Sequence, residues 1–375
     1  MALTYRVYPA EPQAHLFTVE IEIPAPRGQT LTLSMPAWIP GSYMIRDFAR
    51  HVLDIDATDA EGEFPREGIT KRDKQTWCLA HRGLATRVRY RVYAWDLSVR
   101  GAHLDQTHAY FNGAALLLRV AGLDACPCRL ELAPPPGDIG AEWRVATSLN
   151  PTATGPMGFG TYEAEDYADL IDHPVEMGRF RLIAFRVQGV PHRMAISGRH
   201  SCDEARLQRD LERICAEQAA LFGDLPLDRY LFLVSALGEG YGGLEHRYST
   251  SLMCARDDLP APTSEATGSP TTGYRRFLGL CSHEYFHLWN VKRIRPQTLM
   301  DGGLDREVHT RLLWAFEGIT SYYDDLALVR SGCIAESGYL ELLAHGITRV
   351  LRTPGRLVQT LAESSFDAWT KLYKA

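Results

Sequence analysis

The first half of the chain alternates apolar and polar side chains at every second position. Residues 5–8, 17–23 and 86–93 show this period. Such alternation is typical of half-buried antiparallel strands, in which successive side chains point to opposite faces of a sheet. Proline and glycine interrupt the pattern, for example at residues 40–41 and 134–140, and indicate turns between the strands. The pattern therefore predicts a β domain.

The pattern changes after about residue 195, where helical and strand periods are mixed. Residues 201–221 carry apolar side chains three and four positions apart, and Ser201 is the candidate N-cap of this predicted helix because acidic residues follow it. An apolar run at residues 230–235 predicts a strand. The glycines within residues 238–243 then predict a flexible turn.

Three further segments have the length and the periodicity of helices, at residues 273–291, 308–330 and 336–352. The last of them is expected to end at a Thr-Pro-Gly sequence, because proline removes a helical hydrogen bond. The interpretation is an α+β protein with an N-terminal antiparallel β domain at residues 1–190. An α-rich catalytic domain with a small sheet is expected at residues 191–375.

Composition and charge narrow the range of functions. The 375 residues are 45% hydrophobic and 23% charged, with a formal net charge of −6. This is an ordinary globular composition, and the negative balance argues against a nucleic acid partner, which would need clustered lysine and arginine. There is no apolar run long enough for a membrane helix, and the chain starts without the apolar stretch of a secretory signal. We therefore expect a cytoplasmic protein with no membrane partner, whose eight cysteines are reduced.

The strongest chemical signal is the His-Glu-x-x-His sequence at residues 283–287. On a helix, His283 and His287 share a face one turn apart, so both imidazoles can bind one ion. Glu284 projects beside them and can take a proton from a water on the metal. Zinc suits this set because it accepts imidazole and carboxylate and lowers the pKa of its water to about 7. The alternative is two histidines that merely satisfy their hydrogen bonds on a helix.

A catalytic zinc site with two histidines needs a third ligand. Glu317 is the candidate because it lies in an apolar and aromatic segment, where a buried carboxylate is costly unless it is paired or binds metal. A core glutamate in a salt bridge is the alternative. Asp324 follows seven residues later on the same helical face and can accept the second N–H of a zinc histidine. The alternative for Asp324 is a solvated acid on a helix.

A second candidate group lies in the glycine-rich segment. Gly242 and Gly243 would allow a substrate backbone to approach the edge of a strand closely. Glu245 offers a fixed negative charge for the free α-ammonium group of a peptide. The alternative is a glycine-rich turn that carries an exposed acid.

Together these residues resemble the M61 glycyl aminopeptidases, a family related to the gluzincin M1 aminopeptidases. The matching segments lie in both halves of the chain, at residues 38–43, 109–113, 172–176, 242–246, 283–296 and 317–323. The resemblance implies a thermolysin-like catalytic domain behind a β-sandwich-like N-terminal domain. It also implies the removal of N-terminal glycine or alanine from peptides.

The chain departs from the family's pattern in two respects. The exopeptidase motif of the M1 relatives ends in asparagine, where His246 stands here. The family also continues into further helices and a PDZ domain, so the resemblance implies that a chain ending at Ala375 has a truncated catalytic domain. In the M1 relatives a tyrosine well downstream of the third ligand stabilises the oxyanion. The matching segment would fall past Ala375, and Tyr339 is the candidate that the present chain retains.

The expected function is that of a zinc aminopeptidase acting on peptides with a free N-terminus. One zinc per chain would bind His283, His287 and Glu317, with Glu284 as general base and Glu245 as the anchor of the peptide's amino group. An endopeptidase that uses the same zinc, with Glu245 merely structural, is one alternative. A zinc-holding peptide-binding module without turnover is another, although a binder has no need of Glu284. The oligomeric state and the physiological peptide stay open.

Overall fold

The computed structural model describes residues 2–25, 28, 30–62, 68–155, 157–262 and 269–374. Both strands and helices are present, as the α+β prediction requires. The chain forms two compact units, of which the first runs to Phe180 and takes in Leu304–Arg306. The second unit comprises Arg181–Gly303 and the residues from Glu307 onward. Within the described ranges, every helix is too short or too polar to cross a membrane.

The described part of the first unit contains three sheets and two short α-helices. The largest sheet has seven strands, in the spatial order β13 (Asn150–Pro151), β14 (Gly160–Ala164), β11 (Cys128–Leu132), β1 (Leu3–Glu11), β2 (Leu16–Ile23), β7 (Thr86–Tyr93) and β4 (Val52–Asp59). A four-stranded sheet has the order β10 (Arg119–Val120), β3 (Thr30–Ser34), β6 (Thr76–Ala80) and β5 (Ile69–Lys71). The other four-stranded sheet has the order β12 (Arg144–Thr147), β15 (Val175–Gly178), β9 (His108–Phe111) and β8 (Ala102–Leu104). The helices are α1 (Gly113–Leu116) and α2 (Tyr167–Ile171).

The alternating sequence pattern explains how these strands are placed. Every second residue along most of β1 and β7 is buried, while the residues between them are partly or fully exposed. Strands β1 and β2 pair antiparallel, as β2 does with β7, whereas β1 and β11 run parallel. Three buried tyrosines, Tyr5, Tyr90 and Tyr167, donate their hydroxyls to the carbonyls of residues 116–118 at 2.7–3.0 Å. These bonds satisfy backbone oxygens that burial would otherwise leave unpaired.

The second unit contains a mixed five-stranded sheet and six α-helices among its described residues. The strand order is β16 (Phe180–Val187), β17 (Val190–Ser197), β18 (Tyr230–Leu237), β20 (Ser249–Ala255) and β19 (Tyr241–Glu245). Strands β17, β18 and β20 run parallel, and β19 runs antiparallel to β20 at the edge of the sheet. The helices are α3 (Glu204–Phe222), α4 (Thr272–Phe286), α5 (Gln297–Asp301), α6 (Ile319–Arg330), α7 (Glu336–Arg352) and α8 (Leu361–Lys371).

One hydrophobic core joins the sheet of the second unit to its first long helices. Leu207 and Leu211 of α3 are buried with Phe232 of β18 and with Phe277 and Leu278 of α4. Most positions of β18 are buried, as expected of a strand with neighbours on both sides. The apolar face of α4 is therefore held in place, and this fixes the residues at its C-terminal end.

One local prediction in this unit is wrong and another is only partly right. The N-cap of α3 is Asp203 rather than Ser201, and its side chain accepts from the backbone N–H of Arg206. The backbone N–H of Asp203 bonds to Pro260 at 2.6 Å, which holds this residue outside the helix. In the predicted glycine-rich turn, residues 238–240 do connect β18 to β19, but residues 241–243 belong to strand β19, because pairing with β20 outweighs the low strand preference of glycine.

The later helices differ in their boundaries from the predicted ones. The helix predicted at 273–291 ends with α4 at Phe286 and is followed by turns. The helix predicted at 308–330 begins as the π-helix Trp314–Gly318, which continues into α6. Only α7 has the predicted bounds, because the proline that follows its C-cap cannot extend the helix.

Candidate metal centre

Helix α4 positions the two histidines of the His-Glu-x-x-His sequence. Its N-cap is Thr271, whose hydroxyl accepts from the backbone N–H of Tyr274 at 3.1 Å. Burial of Phe277 anchors the helix in the core, so that His283 and His287 follow at its C-terminal end. The backbone N–H of His287 bonds to the carbonyl of His283, one turn earlier.

The side chains of both histidines and Glu317 converge on one point. His283 Nε2 lies 3.1 Å from His287 Nε2. Oε2 of Glu317 lies 3.5 Å from the first of these nitrogens and 3.7 Å from the second. Nitrogen lone pairs and a carboxylate at such distances repel one another unless positive charge lies among them. These three side chains could therefore hold a cation together.

The other ring nitrogen of each histidine is also held. His283 Nδ1 lies 2.9 Å from Asp324 Oδ2, and His287 Nδ1 lies 2.8 Å from the carbonyl oxygen of Asn290. Both partners are acceptors, so each ring carries a hydrogen on Nδ1, which leaves Nε2 of each ring as the atom that would bind an ion. Burial lowers the pKa of His283, but its bonds to Asp324 and Glu317 outweigh burial and raise that pKa well above its ordinary value, so an ion would have to displace a proton from this Nε2.

This donor set fits a zinc ion. Zinc bonds of about 2.0–2.2 Å in a tetrahedral arrangement separate the ligand atoms by about 3.3–3.6 Å. The three observed separations of 3.1, 3.5 and 3.7 Å lie around that range. Two imidazoles and one glutamate are also the ligands that zinc has in one group of catalytic sites.

The π-helix Trp314–Gly318 presents Glu317 to the centre. Such helices are rare, occur mostly as single turns within α-helices, and are frequent at functional sites. The side-chain amide of Asn290 donates to the carbonyl of Ala315 within this π-helix at 2.9 Å. Since the backbone carbonyl of Asn290 also accepts from His287, this residue connects the His287 ring to the π-helix that carries Glu317.

Glu284 lies beside the centre in a buried position. It is 6% exposed, and its Oε2 has no hydrogen-bond partner among the described residues. Burial raises the pKa of Glu284 to about 7, although His283 and His287 act in the opposite direction. The result is a carboxyl group that exchanges a proton near neutral pH.

Gly243 of β19 lies directly against the Glu284 side chain. A Cβ at this position would lie 2.1 Å from Glu284 Oε1 and 2.4 Å from its Cδ. Those distances are far below van der Waals contact, so a side chain at Gly243 would displace the carboxylate. Its neighbour Gly242 pairs with Met253 in β20.

Glu245 ends strand β19 and is only 3% exposed, so the exposed-acid interpretation is wrong. A ligating atom of Glu245 lies within 4.8 Å of one on Glu284 and of one on His287. Oε1 of Glu245 has no hydrogen-bond partner within the described ranges. A buried carboxylate of this kind is costly unless a cationic group binds it.

The structure also contains supporting residues that the sequence reasoning missed. Gln218 of α3 donates its amide to the carbonyl and to the hydroxyl of Ser282 at 2.9 and 2.7 Å. The Ser282 hydroxyl donates in turn to the backbone carbonyl of Asp324 at 2.8 Å. These bonds fix α4 and α6 beside the histidines. A polar Gln218 on the apolar face of α3 was the available signal, whereas no periodicity marks Asn290.

Comparison with solved structures finds the crystal structure of an aminopeptidase N family protein from Idiomarina loihiensis. It is 40% identical to this chain and superposes with a TM-score of 0.95. The match covers 99% of this chain and 62% of that protein. The present chain therefore spans less than two thirds of the length of this relative.

Two solved structures of lower identity share the fold. An M1 zinc metallopeptidase from Deinococcus radiodurans is 15% identical with a TM-score of 0.52, over 94% of this chain and 75% of its own. The aminopeptidase A of Legionella pneumophila, solved with aspartic acid, is 11% identical with a TM-score of 0.53, over 87% of this chain and 37% of its own. A comparison with curated proteins finds no match.

Family profiles match both halves of the sequence. The profile of the peptidase M61 N-terminal domain matches residues 4–179, and that of M61 glycyl aminopeptidase matches residues 276–375. The second match contains His283, His287 and Glu317. Together with the 40% identity over 99% of the chain, these matches show that the chain belongs to the M61 peptidase family.

Proposed function

We propose that this chain is a zinc-dependent aminopeptidase that removes small N-terminal residues, glycine or alanine, from peptides. The observation that carries the proposal is the convergence of His283, His287 and Glu317, with the buried carboxyl group of Glu284 beside them. The preference for a small residue follows the glycyl aminopeptidase description of the family profile.

His283, His287 and Glu317 are the proposed zinc ligands at this centre, which would hold one ion. Asp324 and Asn290 orient the two imidazoles through their Nδ1 hydrogens. When bound, zinc supplies a Lewis acid that makes water a competent nucleophile near neutral pH and polarises the scissile carbonyl.

Glu284 is the proposed general base. It accepts a proton from the attacking water and then delivers that proton to the leaving amine. A pKa of about 7 suits both steps, because such a group takes up and releases a proton with little cost near neutral pH. Contact with Gly243 holds the carboxylate against strand β19.

Glu245 is the proposed anchor for the substrate's α-ammonium group. A peptide that adds to the edge of β19 through main-chain hydrogen bonds would bring its amino terminus to this buried carboxylate. A charge-assisted bond of this type contributes about 1.5–3 kcal/mol. It would fix the cleavage one residue from the N-terminus.

A metal assay combined with a hydrolysis assay on the same sample tests the proposal. Glycine and alanine amides with a free amine should be hydrolysed, and their N-acetylated forms should not. Glu284→Gln should keep zinc and lose turnover, because it removes a base and not a ligand. His283→Ala should remove the zinc bound at this centre, which is about one ion per chain.

Each failure of this experiment points to a different error. Equal zinc in the wild type and in His283→Ala would overturn the ligand assignment. Equal cleavage of free and acetylated amides would indicate an endopeptidase in which Glu245 is structural. Zinc binding without hydrolysis by the wild-type chain would indicate a peptide-binding module.

A further inference from the structure

The first unit contains a second group of metal-ligating side chains, formed by His103, Asp105 and His108. One ligating atom from each of them lies within 4.8 Å of the other two. The ligating atoms of the three proposed zinc ligands in the second unit also lie within 4.8 Å of one another. The two groups have the same kind of donors, two imidazoles and one carboxylate.

The register of one four-stranded sheet brings this group together. His103 of β8 pairs with Tyr110 of β9, and Tyr110 pairs on its other side with Glu176 of β15. His108 precedes Tyr110 by two residues on β9. Paired residues and alternate residues share one face of a sheet. His103, His108 and Glu176 therefore lie on the same face.

Asp105 lies in the turn that joins β8 to β9. Its Oδ1 accepts from the backbone N–H groups of Thr107 and His108 at 2.6 and 3.0 Å, which shapes the turn. Its Oδ2 lies 3.3 Å from His103 Nε2. That distance equals the separation of two ligands on an ion with bonds of about 2.0–2.2 Å. One oxygen thus builds the turn and the other faces His103.

Glu176 orients His108 in the same way as Asp324 orients its histidine in the second unit. His108 Nδ1 lies 3.1 Å from Glu176 Oε1, which leaves Nε2 as the nitrogen for an ion. His103 is only 4% exposed, and its ring stacks on Trp95 at 4.9 Å between centroids. Its own Nδ1 is buried without a hydrogen-bond partner in the described part of the chain.

We propose that His103, Asp105 and His108 form a second site for a divalent cation of the borderline class, zinc in the first instance. Imidazole nitrogens favour zinc or cobalt, whereas calcium and magnesium prefer oxygen ligands. The ion would bind β8, the edge strand of its sheet, to β9 across their turn. Its role is to stabilise this hairpin, and it is independent of the activity proposed for the second unit.

Zinc stoichiometry of the full chain tests the site once the other centre has been disabled. A variant with His283→Ala and His287→Ala, stripped with a chelator and dialysed against zinc, should retain about one ion per chain by elemental analysis. Adding Asp105→Asn should remove that ion. The substituted amide keeps an oxygen for the N–H groups of Thr107 and His108, so the turn should persist.

Two further variants in the same background separate ligation from folding. Glu176→Gln should weaken zinc binding about 10–100-fold, as expected for loss of a carboxylate that orients a ligand. His173→Gln is the matched control, because His173 is 3% exposed and lies 3.3 Å from the carboxylate of Asp169, outside the group. It should leave zinc binding unchanged. Absence of zinc from the starting variant, or zinc retained after Asp105→Asn, would overturn the proposal.

Fluorescence gives a second measurement that does not depend on the Asp105 variant. Cobalt bound beside His103 should quench Trp95, whose ring stacks on that imidazole. Trp95→Phe should remove this share of the quenching. Equal quenching with and without Trp95 would contradict binding at this position.

Discussion

Replacing Gly243 by alanine tests whether Glu284 acts from its position against strand β19. The added methyl would lie 2.1 Å from Oε1 and 2.4 Å from Cδ of Glu284. Because carbon atoms pack at about 3.5–4.0 Å, the carboxyl group must move by roughly 1 Å or more. A displacement of that size costs about 10²-fold in rate, which corresponds to about 2.7 kcal/mol in the barrier.

The assay is kcat/KM for a glycine amide, with zinc content measured on the same sample. Gly243→Ala should lower kcat/KM about 100-fold and leave zinc binding intact, because Gly243 donates no ligand. In a Glu284→Gln background the same alanine should cost little more, since the group that it displaces has already lost its function.

Gly346→Ala in α7 is the control, because a Cβ there meets nothing within 4 Å. It should leave kcat/KM unchanged and stabilise the chain by up to about 1 kcal/mol, since alanine favours a helix more than glycine does. Wild-type kcat/KM in Gly243→Ala would refute the reasoning. So would an equal loss in both Glu284 backgrounds.

Three further predictions concern the residues around the centre. Asp324→Asn should lower zinc affinity about 10–100-fold in a chelator competition, because it weakens the hold on an imidazole, and unchanged affinity would contradict that role. Asn290→Ala should lower zinc affinity in the same assay, because the side-chain amide bonds to Ala315 and to the Thr320 hydroxyl are lost. Thr320→Val should lower zinc affinity less, because it removes only the second of these bonds. Burial lowers the pKa of His192 from 6.5 to about 4, so the folded protein favours the neutral ring. The contribution of this ring to the free energy of unfolding is fully present above pH 6.5 and is lost as the pH falls toward 4. Between pH 7 and pH 5 the wild type should lose about 2 kcal/mol more than His192→Gln in urea unfolding, and parallel losses would count against this cause.

The sequence predicts those features of the fold and of the site that depend on neighbouring residues alone. His283 and His287 meet because residues four apart on a helix share a face, whatever the rest of the chain does. The apolar segment around Glu317 predicts its place beside them, although its side chain is 27% exposed and so is not fully buried as predicted. The strands of the first unit follow from their period of two in the same way.

The sequence does not predict features that depend on contacts between segments far apart in the chain. The bond from Gln218 to Ser282 joins residues that are 64 positions apart, so the periodicity of α3 marks Gln218 as unusual but does not reveal its partner. Gly242 and Gly243 resemble a turn by composition, and they form a strand only because β20 pairs with them. Ser201 and Asp203 are both good N-caps, and the bond from Asp203 to Pro260 selects the second.

The π-helix of the second unit should report metal occupancy through its hydrogen–deuterium exchange. Five residues, Trp314–Gly318, adopt a geometry that few helices hold on their own, so this turn should be among the first parts of the helix to open. An ion on Glu317 would favour the closed form, because binding energy is linked to local folding. Hydrogen–deuterium exchange at these five amides should then slow as zinc is added. Metal loading could be followed residue by residue, with no substrate present.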